Sequence, residues 1–203
     1  MNKTYFITGI GTGIGKTIVS AILTEKLQAD YWKPIQSGDL DNSDSLLVAQ
    51  LISNKKTIIH PEQFKLSQPL SPHLSARIDG INISASAIKA PVTDNHLVIE
   101  GAGGLMVPIN EQELMLDLLK PLEAKIIVVS QNYLGSINHT LLTLEVLKSR
   151  QLAIEGLIFN GTPNEESERY ITTYTGVPIL GRIPQLDTLD KEHIRKAAEQ
   201  LIF

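Results

Sequence analysis

The first apolar run of the chain ends in a glycine-dense turn closed by a lysine and a threonine, and no other feature restricts the fold as tightly. Thr4–Thr8 is β-rich, and Gly9-Ile10-Gly11-Thr12-Gly13-Ile14-Gly15-Lys16-Thr17 follows it. Gly15–Gln28 then reads as a helix, with Ile18, Val19, Ile22, Leu23 and Leu27 on one face. In a strand–turn–helix of this kind, backbone N–H groups converge on anionic phosphate. Glycines permit the positive φ values that turn successive N–H groups inward. Lys16 sets a cation against β- and γ-phosphate oxygens, and the Thr17 hydroxyl is a ligand for Mg²⁺. The usual motif has a four-residue gap, whereas five residues separate Gly9 from Gly15 here. A tight turn with a chance lysine is the alternative, and the flanking pattern speaks against it. ATP with Mg²⁺ is the expected ligand.

Strand-length apolar runs alternate with helical patterns along the rest of the chain. Strands are predicted at Tyr31–Ile35, His96–Glu100, Lys125–Ser130, Ile154–Asn160 and Pro178–Leu180. Helices are predicted at Asp44–Ile52, Ser71–Ile78, Ser84–Ala90, Glu113–Leu119, Ser136–Arg150, Glu165–Thr175 and Asp190–Ile202. Lys55–Leu70 is the least regular stretch and reads as a loop over the site. Such alternation predicts an α/β fold, a parallel β-sheet with helices on both faces, in one domain over residues 1–203.

Composition removes several function classes. The chain has no cysteine, which excludes disulfides, thiolate zinc sites, iron–sulfur clusters and cysteine nucleophiles. A net charge of −4 argues against a broad nucleic-acid surface. No apolar run approaches the ~20 residues that span a bilayer. Met1-Asn2-Lys3 runs straight into the first strand without the pattern of a signal peptide, so the expected location is the cytoplasm. The five histidines show no metal-ligand spacing.

Ligands of open parallel sheets bind at the carboxyl ends of the strands. Strand 2 ends in Lys33-Pro34-Ile35-Gln36-Ser37-Gly38. Lys33 is either a cation for transition-state charge or a surface lysine with a snorkelling stem. Ser37 either contacts substrate or makes a local turn bond. Asp44, after Asn42-Ser43, is an N-cap-region acid or a Mg²⁺ ligand. Glu100 closes an apolar strand and precedes Gly101-Ala102-Gly103-Gly104, where a second Mg²⁺ ligand belongs. Ser136 in Leu134-Gly135-Ser136-Ile137-Asn138-His139 is a plain N-cap, or it opens a helix whose free N–H groups bind a carboxylate. Asn160-Gly161 is a turn signal or offers a donor–acceptor pair to adenine.

Taken together, these stretches resemble the dethiobiotin synthetase family. The resemblance is carried by Tyr5–Thr17, Lys33–Gly38, Asn42–Leu46, Val98–Gly104 and Leu134–His139, with Ser71-Pro72-His73, Asn160 and Gly181–Pro184 in support. The five-residue gap in the glycine turn is the family's own form. The resemblance implies a phosphate-loop ATPase fold, a homodimer, and an ATP-dependent cyclo-ligase. That reaction joins CO₂ to 7,8-diaminononanoate and closes the ureido ring through a carbamic-phosphoric anhydride, releasing ADP and phosphate. It implies that Gly13, Ile14, Gly15, Lys16, Thr17 and Ile18 hold the phosphates, and that Thr17, Asp44 and Glu100 surround Mg²⁺. Lys33 would be catalytic beside Lys16, and Ser37 would touch the diamine. Glu100, Gly101, Ala102 and Gly103 would border both ligands. Asn160, Gly161, Pro184, Gln185 and Leu186 would embrace the adenine. Gly135, Ser136, Ile137 and Asn138 would take the substrate's carboxylate across a dimer interface.

Some positions depart from the family pattern. Gly11 and Gly13 stand where many members carry acids, and Gln185 stands where a bulky residue is common, which leaves the strictness for ATP open. The competing class is a partitioning-type ATPase switch that binds proteins. It carries a second lysine early in the loop, where this chain has Gly11, and often a basic membrane helix at its end, where Lys191–Phe203 mixes both charge signs.

Overall fold

The computed structural model describes residues 2–203, so Met1 of the opening Met1-Asn2-Lys3 lies outside the described residues. The strands are β1 (Thr4–Gly9), β2 (Asp30–Trp32), β3 (Ile35–Ser37), β4 (Ile59–His60), β5 (Phe64–Leu66), β6 (Leu97–Gly104), β7 (Lys125–Gln131), β8 (Ile154–Asn160) and β9 (Ile179–Ile183). The helices are α1 (Lys16–Leu27), α2 (Asp44–Leu51), α3 (Pro72–Asp79), α4 (Leu119–Leu122), α5 (Ser136–Ser149), α6 (Glu165–Thr175) and α7 (Lys191–Glu199). Seven strands form one sheet in the order β4-β2-β6-β1-β7-β8-β9, and every pairing in it is parallel.

Both faces of the sheet are covered. Val19, Ile22 and Leu23 of α1, Val48 and Leu51 of α2, and Ile194 of α7 pack with Ile7, Val98 and Ile158 on one side. Leu144 and Leu147 of α5, Ile171 of α6 and Ala76 of α3 pack with Phe6, Ile99 and Val128 on the other. This accounts for the unbroken apolar run of β7: a central parallel strand is buried on both faces. The fold is the phosphate-loop NTPase type of α/β sheet. Among the described residues, no helix is long and apolar enough to cross a membrane.

The structure corrects several element boundaries. The expected strand Tyr31–Ile35 is divided. β2 stops before Lys33-Pro34, and β3 pairs with β5 in a separate two-stranded parallel sheet. Pro34 has no N–H to donate, and its carbonyl accepts instead from Gln63 N (3.1 Å) and Phe64 N (2.9 Å). The irregular stretch Lys55–Leu70 thus holds an edge strand of the main sheet, β4, and one strand of the small sheet, β5. Ser84–Ala90 is only a 3₁₀ turn at Ala85–Ala87, because Gln63 bridges the Ala87 carbonyl and the Lys89 N–H, and Pro91 disfavours helix at Ala90. Glu113–Leu119 is a 3₁₀ turn at Met115–Leu118 that leads into α4. β6 and β9 run past their expected ends, and α7 is shorter than expected, with Asp190 accepting from His193 N at 2.9 Å.

Candidate active site

β1 is central, between β6 and β7, and its carboxyl end opens directly into the glycine turn. Gly13 and Gly15 take φ values of 74° and 87°. Gly15 is also constrained from outside, since a Cβ there would lie 2.2 Å from Asn160 Nδ2. That amide donates to the Ile14 carbonyl at 2.9 Å, so β8 latches the turn. Lys16 folds back over the loop and donates to the Gly11 carbonyl at 2.9 Å. Burial pushes the Lys16 ammonium down to about 8; Glu100 opposes this and Lys33 adds to it.

Beside the turn, Glu100 is 1% exposed and carries three donors. Thr17 Oγ1 and Lys33 Nζ reach Oε1 at 2.9 and 3.0 Å, and Tyr31 OH reaches Oε2 at 2.9 Å. Lys33 is 4% exposed and also pairs with Asp44 at 2.5 Å. Lys33 is therefore not a snorkelling surface lysine, whose head group would be exposed. Burial alone would lower the Lys33 pKa, but Glu100 and Asp44 outweigh it and hold the ammonium above its ordinary value. For Asp44, burial is outweighed by Lys33, and the carboxyl is held below its ordinary value.

Each of these side chains is positioned by its element. Lys33 follows β2, Glu100 lies on β6 next to it, and Thr17 is in the first turn of α1. Asp44 opens α2, whose N-cap is Ser43, with its side chain accepting from Leu46 N. The donors at this point are two carboxylates and a hydroxyl, all hard oxygens. Among the described residues no group of three or more His, Cys, Asp or Glu side chains gathers. Magnesium ordinarily takes one or two protein carboxylates and completes its shell with phosphate oxygens and water, so the residues fit it.

The remaining candidates fall into three places. Gly13, Gly15, Ile18, Asn160, Pro184, Gln185 and Leu186 line one cavity of about 260 Å³, together with Gln131 and Leu189. Gly161, with φ of 91°, does not line it and packs against the Gln131 side chain. Gly103, with φ of 69°, lies beside Val107 and Thr12, and Gly101 lies against the Phe6 ring. Gly101–Gly103 therefore run from the acid toward the glycine turn, on β6. Ser37 sits at the end of β3 with its buried Oγ lacking a hydrogen-bond partner among the described residues.

Gly135, Ile137 and Asn138 line a separate cavity of about 790 Å³ between α5 and α6, remote from the Lys33 cluster in its lining. Ser136 is not the N-cap. Gly135 occupies that position with φ of 100°, and Ser136 is a buried first helical residue. A further cavity of about 390 Å³ lies between Gly9–Thr12, Gly104–Val107 and the exposed face of α5 at His139 and Leu142.

Reading the sequence passed over Tyr31 and Gln131. Gln131 ends β7 and lies in register with Asn160, so extending that strand by one residue would have found it.

The family model described as AAA domain matches residues 3–193. The chain is 50% identical over 200 residues to the ATP-dependent dethiobiotin synthetase BioD of Christiangramia forsetii, covering 98% of this chain and 96% of that one. It is 48% identical over 200 residues to the enzyme of the same name from Cytophaga hutchinsonii, covering 98% and 97%. Among solved structures, the septum site-determining protein MinD of Pyrococcus horikoshii, complexed with Mg-ADP, has a TM-score of 0.58 at 16% identity, covering 98% of this chain and 95% of that one. At that identity the likeness shows the fold alone. The full-length identities go further: the chain belongs to the ATP-dependent dethiobiotin synthetase family.

Proposed function

We propose that this chain, as one domain over residues 1–203, carboxylates 7,8-diaminononanoate with CO₂ and closes the ureido ring at the expense of ATP, in the cytoplasm and as a homodimer. The observation that carries the reading is the buried cluster of Lys33, Asp44, Glu100 and Thr17 beside the glycine turn.

The glycine turn and the α1 N-terminus hold the phosphates, with the Lys16 ammonium at the β- and γ-oxygens. Thr17, Asp44 and Glu100 would hold Mg²⁺, which when bound withdraws charge from those oxygens. Asn160 has its Nδ2 committed to Ile14, which leaves its Oδ1 to accept from the amino group of adenine between Ile18 and Pro184–Leu186. Gly161 supports this wall through Gln131. Ser37 offers its hydroxyl to the diamine.

A neutral amine adds to CO₂ and loses a proton, giving a carbamate. A carbamate oxygen attacks the γ-phosphorus, and the bond to ADP breaks. The second amine then attacks the carbonyl carbon of the anhydride, the ring closes, and phosphate leaves. Lys33 and Lys16 stabilise the charge that develops on the carbamate and the transferring phosphoryl group. The protein supplies little covalent chemistry in such a transfer; positioning and charge dominate. Within one chain, the Gly135–Asn138 helix start lines a cavity apart from this cluster, which supports its serving the substrate carboxylate of a second copy.

The test is phosphate release from ATP and Mg²⁺ with the diamine and bicarbonate added singly and together. Release that requires both, with dethiobiotin formed in equal amount, is the expected result. Release indifferent to the diamine would instead favour a protein-binding ATPase switch.

A further inference from the structure

Three side chains donate to Glu100. Two of them, Thr17 and Lys33, face the nucleotide in the reading above, but the third does not. Tyr31 lies on β2 opposite Val98, two residues before Glu100 on the neighbouring strand. Side chains two apart on a strand leave the same face of the sheet, so the phenol points along the sheet toward the acid. Its ring is fully buried, packed in the cluster that includes Ile22, Val48 and Val98. Its hydroxyl donates to Oε2 at 2.9 Å, and among the described residues no other group donates to that oxygen.

The division of labour between the two carboxylate oxygens is what matters. Oε1 is bound by groups that must also serve a ligand, a hydroxyl and a long flexible ammonium. Oε2 is bound by a rigid aromatic side chain that has no other task. We infer that Tyr31 is a positioning residue: its hydroxyl anchors Oε2 of Glu100, keeping Oε1 turned toward Thr17 and Lys33 while those two exchange partners with the incoming nucleotide. A buried carboxylate oxygen without a donor is costly. Without the phenol, Glu100 would therefore rotate to share the Thr17 and Lys33 donors and spoil the aim of Oε1. The inference rests on the placement of Glu100 at the Mg²⁺ side of the phosphates.

The test is ADP binding by calorimetry, with Mg²⁺ and separately with EDTA, for the wild type, Tyr31→Phe, Glu100→Gln and the double variant. Tyr31→Phe is expected to lose roughly tenfold in affinity with Mg²⁺ and to bind unchanged in EDTA, the size of one hydrogen bond to a charged group. In the Glu100→Gln background, adding Tyr31→Phe is expected to change the Mg²⁺-dependent gain by less than about twofold, because a residue acting through Glu100 has nothing left to position. Equal losses with and without Mg²⁺, no loss in either, or additive effects in the double variant would overturn the inference. A wild type with no Mg²⁺ gain would remove the site reading along with it, whereas a wild-type gain fully kept by Tyr31→Phe sinks the inference alone.

Discussion

Two carboxylates are each 1% exposed, one at either edge of the same sheet, and they are held in opposite ways. Asp30, at the amino edge of β2, accepts from Ile58 N (3.0 Å), Thr93 Oγ1 (2.6 Å) and Asn95 Nδ2 (3.2 Å), with His60 Nε2 at 3.2 Å. Side chains and a backbone N–H from separate segments converge there, and Asn95 Nδ2 ties in the Gln28 carbonyl as well. Glu100, toward the carboxyl edge, is held by Thr17, Tyr31 and Lys33, and Lys33 is shared with Asp44. The amino-edge acid ties segments together. On the proposed reading, the carboxyl-edge acid keeps a cation on station until a ligand calls for it. The same burial would then serve stability at one edge and chemistry at the other, with the partners deciding which.

The sharpest way to break the contrast is Lys33→Ala. Turnover is expected to fall at least a hundredfold, the scale of losing one preorganised charge partner, and phosphate release measures it. Circular dichroism should show the fold retained, with a lower melting temperature because two acids lose their shared cation. Asp30→Ala should do the reverse. Leaving its donors without a partner costs about 3 kcal/mol, read as a melting temperature lower by roughly 6–12 °C, while turnover per folded molecule stays at the wild-type value. That penalty has a pH signature. Burial would raise the Asp30 pKa, but Thr93, the Ile58 N–H, Asn95 and His60 outweigh it, and the folded value lies below the ordinary one. Its stabilisation is therefore complete above about pH 4 and drains as the pH falls through the folded value, so the wild type and variant should converge in acid.

A smaller effect tests the carboxyl edge alone. With the Lys16 pKa of the free protein at about 8, the proposed phosphate site has its cation in place below that pH. Above it the site must take up a proton. ATP affinity, measured by calorimetry, should be flat below pH 7.5 and fall by up to tenfold per unit above pH 8.5. Smallest of all is Thr93→Val, which removes one neutral donor from Asp30. About 1 kcal/mol, or 2–4 °C in melting temperature, is expected, with nucleotide affinity untouched.

The sequence disclosed the alternation of elements well, because long apolar strands and amphipathic helices carry their period in adjacent residues. It disclosed β4 poorly: two residues hold no period. The break at Lys33-Pro34 was hidden because it depends on the Pro34 carbonyl finding Gln63 and Phe64. The loop lysine and Thr17 were legible from local spacing. Lys33 was ambiguous alone, since the acid that buries it is 67 residues distant. Tyr31 looked like any core aromatic, because its strand register and not its neighbours in sequence gives it a task. Ser136 misled for a local reason: glycine at 135 takes the left-handed cap conformation and displaces serine into the helix.

The amide of Asn160 grips the Ile14 carbonyl across 146 positions of chain, and both neighbours of the first strand are themselves made late, at Leu97–Gly104 and Lys125–Gln131. A ribosome that has delivered only the residues before Leu97 has therefore exposed a glycine segment with neither neighbouring strand beside it and no latch to set its shape. Nucleotide capture should begin only after β8 emerges, which makes ATP a reporter of near-complete synthesis rather than a template for the nascent chain.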